Sequence, residues 1–220
     1  MDLETLPTTR RDVFGLAAMA AIAGVGAALP VANAAAATPA TDFTRWLDGI
    51  KGKQKALLDM REPNGGMGMA WAWVFLFTAP QAYGIPESDV TVVMVMRHNA
   101  IPVALGDDAW SKYKLGEFFK IDDPATGAPA VRNPFYTTMA EPFLPDMALQ
   151  KLIDRKVKVA ACDMAIAFYS GLIAKQMGLN PEDVKNDWNA ALLPGIVHAP
   201  SGLVACQGAQ TRGCQYLFAG

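Results

Sequence analysis

The residue best placed to do chemistry is Cys162. It closes the run Val157-Lys158-Val159-Ala160-Ala161-Cys162, and helix-forming residues follow at once through Ser170. A β-branched, small-residue run of this kind reads as a buried strand delivering a cysteine to a strand-to-helix turn. Unpaired N–H groups and the helix dipole favour an anion there, which makes the thiol a candidate nucleophile. The competing reading is a small buried hydrophobe, since free cysteine is among the most buried residue types. A second polar group, Arg97-His98-Asn99, ends the cleanest strand pattern of the chain, Val90–Met96. Carboxyl ends of buried parallel strands are where open α/β sheets bind ligands. Arg97 and His98 are therefore candidates to lend the thiol positive charge or proton transfer, with Asn99 as a binding residue. The plainer alternative is that Arg97 pairs with a carboxylate at the core edge while His98 caps a neighbouring element.

Other chemistries find less support. There are only two histidines, His98 and His198, without Cys-x-x-Cys or His-x-x-x-His spacing, so no metal is expected. A His₂Cys site would require both to meet Cys162 across strand ends. No Walker sequence, Gly-x-Gly-x-x-Gly or Gly-x-Ser-x-Gly elbow is present, and no cofactor is expected. Cys206 and Cys214 are close enough in sequence to close a small disulfide loop, which would leave Cys162 as the free thiol.

The elements that must position these residues alternate from Lys55 onward. Asp42 caps a short helix over Phe43–Ile50, and Lys55–Met60 reads as a first strand. The turn-rich Arg61–Gly66 leads into a helix over Met67–Thr78, apolar nearly all round. Its Trp71, Trp73, Phe75 and Phe77 are expected in the core or at a subunit interface. Ala100–Leu105 extends a strand or leads into a helix, and Asp107 or Asp108 caps a helix through Leu115. Phe119–Pro145 is irregular and rich in proline, the signature of a lid, a binding loop or an oligomer contact. Helices are expected over Asp146–Arg155, from Cys162 to Met177 with Gly178 as C-cap, and from Pro181 behind Asn180 as N-cap. A short strand ends at Ala199, a helix of small residues covers Leu203–Ala209, and Cys214–Phe218 is the last strand. This alternation predicts an α/β layered fold with a mostly parallel sheet and right-handed crossovers.

The N-terminus reads as an address. Arg10-Arg11 with Phe14 precedes a weakly apolar Ala- and Gly-rich run, and Ala32-Asn33-Ala34 offers a small-x-small cleavage site. Residues 1–34 are thus expected to be a twin-arginine export signal, 35–54 a lead-in with a short helix, and 55–220 the folded domain. After removal of the signal no membrane anchor is expected, and the protein would be periplasmic or otherwise exported. Taking Arg10 and Arg11 from 19 basic residues, and Asp2, Glu4 and Asp12 from 21 acidic ones, leaves a net charge of about −1. Without a basic stripe, nucleic acid is not an expected partner. Three cysteines leave at least one thiol unpaired within a monomer.

With these features in view, the chain resembles the DsrE/DsrF-like superfamily, which includes sulfur-relay subunits. The matching features are Val157-x-Val159-x-x-Cys162-x-x-Ala165, then Pro200-Ser201-Gly202 with Gln210 before Gly213, and an aromatic at Tyr216. The strand Val90–Arg97 running into a polar turn fits the same frame. The resemblance covers roughly Lys55–Phe218, with Lys114–Pro145 outside it, and Cys214 stands where an aromatic is usual. It implies a flavodoxin-like three-layer fold and assembly as a homo- or hetero-oligomer, of which a homo-oligomer is expected here. It also puts Cys162 where sulfur-relay members accept persulfide sulfur, with Ser201 and Gly202 in a turn facing that thiol. The expectation is an exported protein handling sulfane sulfur or another thiol-reactive small molecule. The alternative is a non-catalytic oligomeric small-molecule-binding protein that uses the same strand-end pocket.

Overall fold

The computed structural model describes residues 42–137 and 145–220. The expected signal peptide and the proline at 142 lie outside the described residues. Five apolar runs become strands: β1 (Gln54–Met60), β2 (Val90–Met96), β3 (Lys158–Cys162), β4 (Ile196–Ala199) and β5 (Gln215–Phe218). They form one sheet in the order β4-β3-β2-β1-β5, and every pairing is parallel. Parallel neighbours need a crossover between them, and the helices supply it. These are α1 (Asp42–Asp48), α2 (Met67–Tyr83), α3 (Asp107–Lys112), α4 (Leu115–Phe119), α5 (Leu149–Asp154), α6 (Asp163–Met177), α7 (Pro181–Ala190) and α8 (Gly202–Gln210).

The direction of each step decides which face a helix covers. From β1 to β4 the chain moves across the sheet one way, and α2 through α7 pack on one face against Leu58, Met60, Met94, Met96, Val159 and Ala161. From β4 to β5 it steps back across the sheet, so a right-handed crossover must use the other face. There α8, with α1, covers Leu57, Val93, Val95 and Ala160. The result is an α/β fold with a five-stranded, all-parallel sheet between two helical layers, consistent with the flavodoxin-like arrangement.

Local departures from expectation have local causes. The second helix continues past Thr78 to Tyr83 because Pro80 falls in its last turn, where the missing N–H costs one ladder bond. Ala100–Leu105 is neither strand nor α-helix. His98–Ala104 is a 3₁₀ segment containing Pro102, whose carbonyl accepts from Leu105 N at 3.1 Å and from Trp110 Nε1 at 2.9 Å. The helix expected through Leu115 breaks into α3 and α4 at Lys114, which adopts a left-handed φ of 50°. Residues 119–137, the described part of the Pro-rich stretch that also holds 145, are tied to the body rather than hinged away from it. The side chain of buried Asn133 donates to the carbonyls of Val103 (2.9 Å) and Leu105 (2.8 Å) and accepts from Phe135 N (2.9 Å).

Candidate functional site around Cys162

Cys162 ends β3 and is the N-cap of α6, with Sγ accepting a hydrogen bond from Ala165 N at 3.3 Å. The small Ala160-Ala161 pair lets β3 run buried up to this point, and only 6% of Cys162 is exposed. Its strand partner is Ala199, the last residue of β4. The chain leaves β3 toward α6 on one face and leaves β4 toward α8 on the other. Connections that part in this way open a crevice at the strand ends, the usual ligand position in an open α/β sheet. Cys162 therefore lies at the crevice, as a buried residue whose sulfur meets a helix N-terminus. Both features anticipated for it are present together.

A buried ion pair lies on the α8 side of the same strand ends. Asp59 of β1 is 2% exposed and accepts from Arg97 Nε at 2.7 Å and Nη2 at 2.8 Å. The exposed Tyr216 of β5 donates its hydroxyl to Asp59 Oδ2 at 2.7 Å. Burial alone would push the Asp59 carboxyl up, but Arg97 and Tyr216 outweigh it and hold the group below the usual carboxylate range. Asp59 in turn raises Arg97 further. Arg97 thus meets a core-edge carboxylate with two donors, the plainer of the alternatives raised by its position. Gly202 makes room for it: a methyl group there would stand 2.6 Å from Arg97 Cδ and 2.7 Å from Cβ. Ser201 caps α8, its Oγ accepting from Val204 N at 3.2 Å.

His98 and Asn99 turn away from Arg97. His98 takes a left-handed φ of 54°, and its Nδ1 lies 3.4 Å from Glu62 Oε1. Asn99 Nδ2 donates to Glu62 Oε2 at 2.9 Å and Oε1 at 3.1 Å, while its Oδ1 accepts from Tyr169 of α6 at 2.6 Å. Burial drives the Tyr169 hydroxyl up to about 12, keeping it a donor. Among the described residues, neither Arg97 nor His98 hydrogen-bonds to the thiol of Cys162.

His198 comes to the crevice instead. It pairs in register with Ala161, and its Nδ1 is 2.7 Å from Oδ1 of Asp163, the residue after Cys162. The Asp163 carboxylate raises the His198 pKa against the opposing effect of burial, and the Asn189 backbone carbonyl adds to the rise. Asp163, His198 and Pro200 line a cleft of about 770 Å³ with Phe43 and Trp46 of α1. The two histidines thus go to two separate carboxylates, and among the described residues no three His, Cys, Asp or Glu side chains gather as a metal site.

The proposed Cys206–Cys214 disulfide is not formed: all three cysteines are free and buried. The reason is direction. Cys206 on α8 faces Asp59 and Arg97 and interacts electrostatically with Cys162, whereas Cys214 lies beside Lys55 near the start of β1. Burial, with Asp59, pushes the Cys206 thiol up to about 12, so it stays protonated.

Asp59 and Asp163 are participants that sequence reading missed, and Tyr216, matched there only as an aromatic, contributes its hydroxyl. The signal for Asp59 was available, since a lone carboxylate inside the apolar run Ala56–Met60 must find a cation. Compared with known proteins, the chain matches no family model and no curated sequence.

Proposed function

We propose that this is an exported DsrE-like protein that accepts sulfane sulfur on Cys162. The observation that carries the reading is the Cys162 sulfur capping α6 at the crevice between β3 and β4. The Cys162 thiolate attacks the terminal sulfur of a polysulfide or persulfide, R–S–SH. One S–S bond forms on Cys162 and the other breaks, and the R–S⁻ thiolate leaves with its electron pair. The helix N-terminus stabilises negative charge on the sulfur before and after transfer.

Incubation with polysulfide is expected to add one sulfur atom to Cys162, located by intact-mass spectrometry and peptide mapping, and to leave Cys206 and Cys214 unmodified. Persulfide formation that persists unchanged in Cys162→Ser would overturn the assignment. The second reading, a non-catalytic binding protein, is favoured by the cleft that Phe43, Trp46 and His198 line. It requires a ligand to stabilise wild type and Cys162→Ser equally.

We infer further that the protein acts as a homo-oligomer. Met67, Trp71, Val74 and Phe77 form an exposed apolar stripe along α2, and Leu217 and Phe218 are exposed on β5. Trp73 stacks on Phe77 at 5.0 Å beside that stripe. Apolar area of this extent marks interaction surfaces. Light scattering at micromolar concentration is expected to give a multiple of the chain mass, and Trp71→Glu with Phe77→Glu is expected to give the monomer.

A further inference from the structure

The amino-terminal edge of the sheet carries a second cleft, of about 560 Å³, lined by Gly49, Lys51, Glu87, Ser88, Thr91, Arg155, Lys156 and Lys158 among others. It lies at the opposite end of β3 from Cys162, about 13 Å along the strand at ordinary rise. Its charge is one-sided. The only carboxylate in the lining, Glu87, is taken by Arg155, whose Nε and Nη2 donate to Oε1 at 3.1 and 3.0 Å. Nearby Asp89 pairs with Lys53 at 2.7 Å. Lys51, Lys156 and Lys158 are left without a carboxylate among the described residues, in a protein whose net charge is −2.

Lys158 is the informative member. It is half-buried at the start of β3, with its ammonium 5.8 Å from the centroid of the Trp46 ring. Gly49 permits this placement, because a methyl group there would stand 2.6 Å from Nζ. Burial is the cause that lowers its pKa, with no anion to oppose it. A half-buried ammonium in a cleft that two other lysines also line is costly unless something negative joins them. Ser88 and Thr91 in the lining suit an acceptor-rich group rather than an apolar one.

We propose that this cleft binds a small, doubly charged oxyanion of the phosphate or sulfate class, held by Lys51, Lys156 and Lys158. The anion would take hydrogen bonds from three ammonium groups that have no other carboxylate, and charge-assisted bonds of this kind are the strong ones. The site is independent of the thiol, so Cys162→Ser is expected to bind the anion as wild type does.

The test titrates inorganic phosphate, and separately sulfate, into the full chain at constant ionic strength held with chloride. Calorimetry is expected to give saturable binding, and phosphate is expected to protect Lys158 from an amine-acylating reagent, read by peptide mapping. Lys158→Met keeps the stem against Trp46 and is expected to weaken binding by about tenfold or more, as loss of one charge-assisted contact would. Lys156→Met, at an exposed position, is expected to weaken it less, and Lys151→Met, outside the cleft, not at all. Equal affinity in Lys158→Met, or an effect that chloride reproduces, would overturn the proposal. So would binding to vesicles of anionic lipid without binding to free phosphate or sulfate.

Discussion

Replacing Arg97 with methionine is expected to destabilise the protein by about 3 kcal/mol, the lower end of the range for breaking a buried ion pair. The lower end applies because the Arg97 side chain keeps 21% of its exposure while Asp59 keeps 3%. The loss comes from Asp59, whose buried carboxyl would be left with only Tyr216 and the Cys206 thiol to answer it. Removing both partners, in Arg97→Met with Asp59→Leu, is expected to restore part of that loss, since no charge is then stranded. Acid unfolding carries the same signature. The folded pKa of Asp59 lies below its unfolded value, so its contribution is complete above the unfolded pKa and disappears as pH falls through the folded one. In Arg97→Met, burial is left as the dominant influence and raises the Asp59 carboxyl, so acid protonates the folded state more readily than the unfolded one and the stability deficit against wild type is expected to shrink as pH falls. Urea unfolding across the acid range measures both effects, and no deficit at any pH would show that the pair contributes nothing.

Asn133→Ala is expected to cost about 3 kcal/mol, because three buried backbone groups would lose their partners at once. These are the carbonyls of Val103 and Leu105 and the N–H of Phe135. Asn133→Asp, the isosteric change, is expected to be no milder, since it puts a carboxylate where two carbonyls need a donor. Both variants are expected to open residues 119–137 to hydrogen exchange and proteolysis while β1–β5 stay protected. Equal protection in wild type and variant would show that this stretch is held by other contacts. The same hydrogen bonds tie the described part of the proline-rich run, residues 119–137, to Val103 and Leu105.

What could be read in advance follows the range of the forces involved. Apolar runs of strand length, the Asn180-Pro181 start of α7 and the Gly178 end of α6 are local, and each is found where the sequence puts it. So is the thiol at a strand-to-helix turn. The partners of the polar residues are not local. Asp59 and Arg97 are 38 positions apart and Tyr216 is 157 from Asp59, and they meet only because β2 and β5 flank β1. No periodicity announces that order. Likewise, the apolar character of α2 leaves core and subunit interface as alternatives for its aromatics; a helix lying on a sheet covers one side only, so Trp71 and Phe77 face outward. The near-continuous apolar run from Ala100 to Leu105 cannot reveal a 3₁₀ segment, whose formation depends on Pro102 and on the indole of Trp110.

The strand order also bears on how the chain reaches this state. β1 is first in sequence among the strands, yet one of its two neighbours is β5, the last. During synthesis four strands can align while one edge of β1 waits, its backbone groups unpaired and Asp59 without the phenol of Tyr216. Pairings between distant parts of a chain form slowly because loop closure must precede their reward. Completion of the sheet is therefore expected to come late in folding. Removing Gln215–Phe218 would do more than shorten the protein: it would leave an open, strongly apolar edge on a chain otherwise ready to fold.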